Sequence, residues 1–206
     1  MAGITTRHID SSALLQRLPD FVRRVEAEQV HGGSVAMIGS SSSCALVPGA
    51  DALVTGVAGV VLLIRTADCL PVFFADPRRG MVGLAHAGWR GLACSVLANV
   101  VSAFRTVSRT RPEELSVAIG PAIRSCCYEV GPEFTGRFGP FVTVREGRRT
   151  CDLIGVATEQ LRRCGVRAKR LVDAGHCTGC EPQQWFSLRR EGQDTGRLTS
   201  LIMVRP

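Results

Sequence analysis

The apolar blocks at residues 60–64, 72–75 and 81–85 lack the alternation of a half-exposed strand and read as three buried strands. Between the last two lies Asp76-Pro77-Arg78-Arg79-Gly80, turn chemistry that makes them a hairpin. With a two-residue loop, facing positions sum to 155 and Cys69 stands opposite His86; a three- or four-residue loop displaces them by one or two positions. Directly opposed side chains start about 5 Å apart and diagonal ones about 7–8 Å, so a thiol and an imidazole are delivered to one place.

Helical periodicity is clearest after Gly91, where Leu92, Val96, Leu97, Val100, Val101 and Phe104 share a face. A second helix is predicted from its cap, Asp152, through Leu153, Val156, Ala157, Gln160 and Leu161 to a stop at Gly165. A shorter one follows Asp10-Ser11-Ser12, with Leu14, Leu15, Leu18 and Phe21 apolar before Val25, although Pro19 interrupts it. Further strands are expected at 51–55, 57–64, 115–119, 169–173 and 198–204. Residues 28–35 read as strand, glycine turn and strand, with His31 at the first strand's end. The glycine- and phenylalanine-rich stretch after Gly131 shows no assignable pattern. Strands and helices intersperse without strict alternation, and no long repeat recurs. The expected architecture is a single α+β domain over residues 1–206, with mixed β-sheets packed together and flanked by helices.

Composition narrows the function classes. At 206 residues the chain is long enough to bury a sizeable core. Its longest strongly apolar run, residues 57–64, is strand-sized, so no membrane span is expected. The N-terminus shows no charged segment followed by an apolar block, which points to a cytoplasmic protein. Nine cysteines, an odd number, read as reduced thiols, with Cys44, Cys94 and Cys164 expected to serve as small core residues. The net charge of +7 is spread over arginines without the aromatic interleaving of a nucleic-acid surface. It suits an anionic small ligand instead.

The four histidines, His8, His31, His86 and His176, allow any histidine site to be enumerated. His31 precedes Gly32, and His86 precedes Ala87-Gly88, small residues that leave room for a ligand. With Cys69 they make a His2Cys set, which suits catalytic zinc with an open fourth position and also matches the donors of a blue-copper site. An oxidase with several coppers would need roughly ten histidines, more than the chain has, which favours zinc. A competing cluster is His176-Cys177-Thr178-Gly179-Cys180, a zinc knuckle only if Cys126 and Cys127 complete it. A redox role for that Cys-x-x-Cys is disfavoured because no helix start follows to lower the thiol pKa.

Four motifs, Gln29-Val30-His31-Gly32, Thr66-Ala67-Asp68-Cys69-Leu70-Pro71-Val72, Ala85-His86-Ala87-Gly88-Trp89-Arg90-Gly91 and Gly120-Pro121-Ala122-Ile123 with Cys127-Tyr128-Glu129-Val130-Gly131, together resemble the laccase-domain family. Phe186-Ser187-Leu188-Arg189-Arg190 and Thr195-Gly196-Arg197 continue the likeness towards the C-terminus. Members have been labelled polyphenol oxidases and are described as zinc-dependent purine nucleoside phosphorylases with adenosine deaminase and methylthioadenosine phosphorylase activities; some are linked to peptidoglycan-precursor editing. The resemblance implies His31, Cys69 and His86 as the zinc ligands, and a mixed α/β fold of two packed sheets similar to that of the cytotoxic necrotizing factor deamidases. The 28 residues before Gln29 are fewer than members usually carry, an expected shortening of the N-terminal segment.

Under that reading the partners are a purine nucleoside and phosphate, with no nucleic acid and no membrane; the oligomeric state stays open. Asp68 is the first candidate to carry protons in deamination, and Arg90 and Arg189 are the candidates to place phosphate for phosphorolysis. Trp89 is expected to serve packing. Two rivals remain at this stage: a metal-free hydrolase with Cys69 as nucleophile and His86 as base, and a non-catalytic module that holds metal or purine.

Overall fold

A computed structural model describes residues 1–16, 22–42 and 45–205, so the expectations for Leu18, Pro19, Phe21 and Cys44 lie outside the described residues. The chain runs β1 (Ala2–Ile4), α1 (Ser11–Gln16), β2 (Arg23–Ala27), β3 (Val35–Ile38), β4 (Leu46–Val47), β5 (Ala52–Thr55), β6 (Val60–Thr66), β7 (Leu70–Asp76) and β8 (Met81–Ala87). It continues with α2 (Trp89–Ala93), α3 (Val96–Ser108), β9 (Ser116–Ile119), α4 (Glu133–Phe138), β10 (Val142–Arg145), β11 (Arg148–Cys151), α5 (Leu153–Arg163), β12 (Leu171–Asp173), α6 (Leu188–Glu191) and β13 (Leu198–Met203).

Two mixed sheets result, one ordered β1-β13-β6-β2-β4 and the other β12-β9-β7-β8-β5-β3, besides a β10-β11 hairpin. They pack face to face: Val25, Leu62, Ile64 and Ile202 of the first meet Leu53 and Leu84 of the second. The outer face of the first sheet, with Val61, Leu63 and Leu201, takes Leu15 of α1. The outer face of the second, with Val54, Phe74 and Ala85, takes Leu97, Val100 and Phe104 of α3 and Leu161 of α5. A strand between two covered faces must be apolar at consecutive positions, which explains the unbroken run in β6. Each fully buried side chain of this kind contributes about 1.5–3 kcal/mol. Among the described residues no helix is long and apolar enough to cross a membrane.

The expected α+β architecture of packed mixed sheets is therefore present, with the longest of the foreseen hairpin loops and three local corrections. The β7–β8 hairpin closes with four residues between Asp76 and Met81, so Pro71 faces His86 and Cys69 stands diagonal to it. The helix expected from Leu92 to Phe104 is two: Ser95 sits in the left-handed region at φ 59° and separates α2 from α3. Cys94, expected in the core, caps α2 and is exposed. Residues 28–35 hold no strand-turn-strand unit before Val35; residues 28–34 form a loop that leaves the first sheet at β2 and enters the second at β3. The unassigned stretch after Gly131 contains α4, with Phe134 and Phe138 buried in the core. Asp152 caps α5 as expected, accepting from the Gly155 amide.

Candidate metal centre

The chain passes from the first sheet to the second three times, and two of those crossings carry candidate ligands. Residues 28–34 connect β2 to β3, and Ala67-Asp68-Cys69 connect β6 to β7. Because β2 and β6 are parallel neighbours, both crossings leave from the same edge of the sandwich. Each needs backbone that L-residues rarely adopt: Gln29 and His31 at φ 65° and 60°, and Asp68 at φ 92°. Gln29 ties the crossings together, its amide donating to the Arg65 carbonyl (2.6 Å) while accepting from the Arg65 amide (2.7 Å). That side chain imitates one more residue of the β2–β6 ladder.

His31 and Cys69 thus arrive on these two crossings and His86 at the penultimate residue of β8; their ligand atoms all lie within 4.8 Å of one another. The imidazoles meet edge to face, centroids 4.7 Å apart. The backbone of Gly88 closes over the sulfur, and a Cβ there would stand 2.9 Å from Cys69 Sγ. His86 is buried, and His31 is exposed, so the centre is open on one side.

Asp51, fully buried before β5, was not singled out by its sequence context. Its Oδ1 accepts from His86 Nδ1 (2.8 Å) and from the His31 amide (2.9 Å), and its Oδ2 from the Gly32 amide (2.6 Å). Burial opposes its charge, but the His86 hydrogen bond and the two amides hold the carboxyl below its ordinary pKa. The bond to Nδ1 leaves Nε2 of His86 as the free donor, the way a carboxylate commonly orients a metal-binding histidine. Burial raises the Cys69 thiol, but hydrogen bonds from His31 and His86 bring it down to about 7. His86 shows the reverse balance, burial lowering it and the Asp51 and Cys69 contacts raising it to about 9. Donor type, separation and orientation fit a metal ion bound by two nitrogens and one thiolate.

The other expected site residues surround this centre. The Asp68 side chain is buried, Oδ1 accepting from the Thr178 hydroxyl (2.6 Å) and Oδ2 from the Arg189 amide (2.7 Å). Arg189, in α6, donates to the Glu129 carbonyl (2.6 Å) and lies 5.2 Å from the Tyr128 ring centroid. Arg90 is exposed and lies over Trp89 at 4.4 Å, while Trp89 packs on Phe134 at 5.3 Å, the packing role expected for it. Burial raises the Tyr128 phenol far above its ordinary pKa; Cys69 adds to the rise, and Arg189 and Arg90 oppose it, which puts all four within electrostatic reach. His8 and His176 lie apart, bonded to the Gln183 carbonyl (2.6 Å) and to Glu181 (2.8 Å).

Residues 10–205 match the family described as multi-copper polyphenol oxidoreductase laccase. The chain belongs to this laccase family. Among its members, purine nucleoside phosphorylase YlmD of Geobacillus stearothermophilus is 36% identical over 87% of this chain and 72% of its own. The crystal structure of YlmD superposes with a TM-score of 0.90, covering 100% of this chain and 92% of that one at 32% identity. A purine nucleoside phosphorylase of Xylella fastidiosa is 38% identical over 92% of this chain and 74% of its own. Adenosine deaminase RL5, from an unknown prokaryotic organism, is 35% identical over 74% of this chain and 62% of its own. The family description speaks of several coppers, whereas this laccase-family chain has four histidines, two of them committed to hydrogen bonds away from the centre.

Proposed function

We propose that the chain is a zinc-dependent purine nucleoside phosphorylase that also deaminates adenosine, with His31, Cys69 and His86 as the zinc ligands. The observation that carries this reading is the convergence of the three donors with Asp51 behind two of them, in a chain whose relatives bear phosphorylase and deaminase names. One thiolate with two imidazoles suits zinc, and three protein ligands leave a position for water or substrate. When bound, the metal supplies a Lewis acid and activates water.

The chain's own residues supply the rest. Arg90, over Trp89, and Arg189, over Tyr128, present guanidinium groups that hold phosphate against the nucleoside. Both carboxylate oxygens of Asp68 already accept hydrogen bonds, so the proton transfer expected of it from sequence gives way here to positioning: it fixes Thr178 and the start of α6, and with α6 the Arg189 side chain. Tyr128 offers the aromatic face on which a purine stacks. Methylthioadenosine, itself a purine nucleoside, is a further substrate, and the chain meets these nucleosides in the cytoplasm.

Elemental analysis of purified protein, followed by assays of inosine and adenosine with and without phosphate, tests the proposal. Zinc is expected, with phosphate-dependent release of base and a loss of at least about 100-fold in kcat/KM for Cys69→Ala. Full phosphorolysis by Cys69→Ala after chelation would overturn it.

A further inference from the structure

Behind the candidate centre, the turn that follows β9 and the turn that follows β12 meet. Ala122 and Cys177 form a parallel bridge, with the Thr178 amide donating to the Ala122 carbonyl (3.1 Å). This contact brings together four sulfurs from two sequence pairs, Cys126 with Cys127 and Cys177 with Cys180, all within 4.8 Å of one another. Three separations are shorter still: Cys126 to Cys177 at 3.5 Å, Cys126 to Cys180 at 3.4 Å and Cys127 to Cys180 at 3.3 Å.

Those distances discriminate between chemistries. A disulfide holds its sulfurs about 2.05 Å apart and selects one partner. Here Cys126 and Cys180 each have two near-equal neighbours. Four thiolates at about 2.3 Å from a tetrahedral zinc stand about 3.8 Å from each other, the spacing this cluster approaches without any rearrangement of its turns. We infer that Cys126, Cys127, Cys177 and Cys180 form a second metal site, separate from the His31, Cys69 and His86 centre, which takes a zinc-type divalent cation on four thiolates.

The surroundings support the assignment. Cys177-Thr178-Gly179-Cys180 is a tight turn in which the Cys180 and Glu181 amides donate to the Cys177 carbonyl, at 3.2 and 3.1 Å. A side chain at Gly179 would place its Cβ 2.7 Å from Cys127 Cβ and 2.9 Å from its sulfur, so only glycine leaves Cys127 its place. Arg190 donates to the Thr178 and Gly179 carbonyls, at 2.6 and 3.1 Å, bringing positive charge to a site that would carry net negative charge. Cys126 and Cys180 are exposed, which leaves an entry path for the ion. His176 faces Glu181 and Trp185 instead and is no part of the cluster. The role is structural: Thr178, between the two knuckle cysteines, donates to Asp68, so the ion would clamp the wall of the candidate centre from behind.

Cobalt and zinc titration of metal-stripped, reduced protein tests this. The Cys69→Ala chain, with the first centre disabled, is expected to bind one equivalent of cobalt with the intense thiolate-to-metal absorption of a four-sulfur site, displaced by one equivalent of zinc. Cys126→Ser with Cys180→Ser in the native background is expected to lose one equivalent relative to the native chain. A Cys69→Ala chain that binds no cobalt overturns the inference even if the double variant fails to fold. So does the absence of four thiols on titrating denatured, unreduced protein, which would make the cluster two disulfides. Neither result bears on whether the first centre holds zinc.

Discussion

Asp51 spends one carboxylate on three donors, two backbone amides and an imidazole, and so fixes His31 and His86 together. An Asp51→Asn variant keeps the size of the side chain but loses the charge and offers an amide where a donor already points. It is expected to weaken zinc 10- to 100-fold, on the order found for such supporting carboxylates, as read by chelator competition. Unchanged affinity would mean the histidines are held by packing alone. The candidate ligands were legible as residues, since four histidines and a cysteine beside a hairpin leave few combinations. Asp51 was not, because its role depends on the pairing of β5 with β8: Ala52 faces Ala85, which sets Asp51 beside His86. An aspartate at the start of an apolar strand was the signal available, and by itself it reads equally as a turn residue.

Among the elements, the two crossings that carry His31 and Cys69 matter more than any helix. The apolar blocks foretold β6, β7 and β8, because burial on both faces writes itself as an uninterrupted run. Nothing local foretold that β2 and β3 belong to different sheets, for a glycine-containing loop between strands looks the same whether it folds a hairpin or spans a sandwich. The left-handed residues Gln29, His31 and Asp68 are likewise invisible in a pattern of polar and apolar positions. Gln29 replaces a missing ladder bond pair between the crossings, so Gln29→Ala is expected to lower unfolding free energy by about 1–2 kcal/mol in urea titrations. An unchanged midpoint would show that the crossings hold their shape without it.

Over the whole molecule, chemistry and a polar staple occupy opposite ends of the second sheet. At the end away from the candidate centre, buried Asp76 accepts from Thr110 Oγ1 (2.7 Å), Arg79 Nη1 (2.8 Å) and the Arg78 amide (3.1 Å), joining the hairpin loop to the segment after α3. Burial opposes its charge, but the Thr110 and Arg79 bonds outweigh it and hold the carboxyl below its usual 3.8. A group depressed on folding stabilises above its unfolded pKa and loses that contribution as pH falls through the folded value. Asp76→Asn should therefore cost about 2–4 kcal/mol near neutrality, with the gap to the native chain closing below about pH 4. Urea midpoints collected from pH 7 to pH 3 check this, and a gap independent of pH would assign the effect to packing.

The crossings also make the candidate centre a gauge of the distance between the sheets. His31 and Cys69 ride on spans from one layer to the other, while His86 is rooted in the second layer alone. The separations among the three donors are thus set by how closely Leu62 and Ile64 seat against Leu53 and Leu84, several residues from any ligand. Swelling of that interlayer reaches the centre through backbone geometry, and an ion that pulls the donors together draws the sheets together with them.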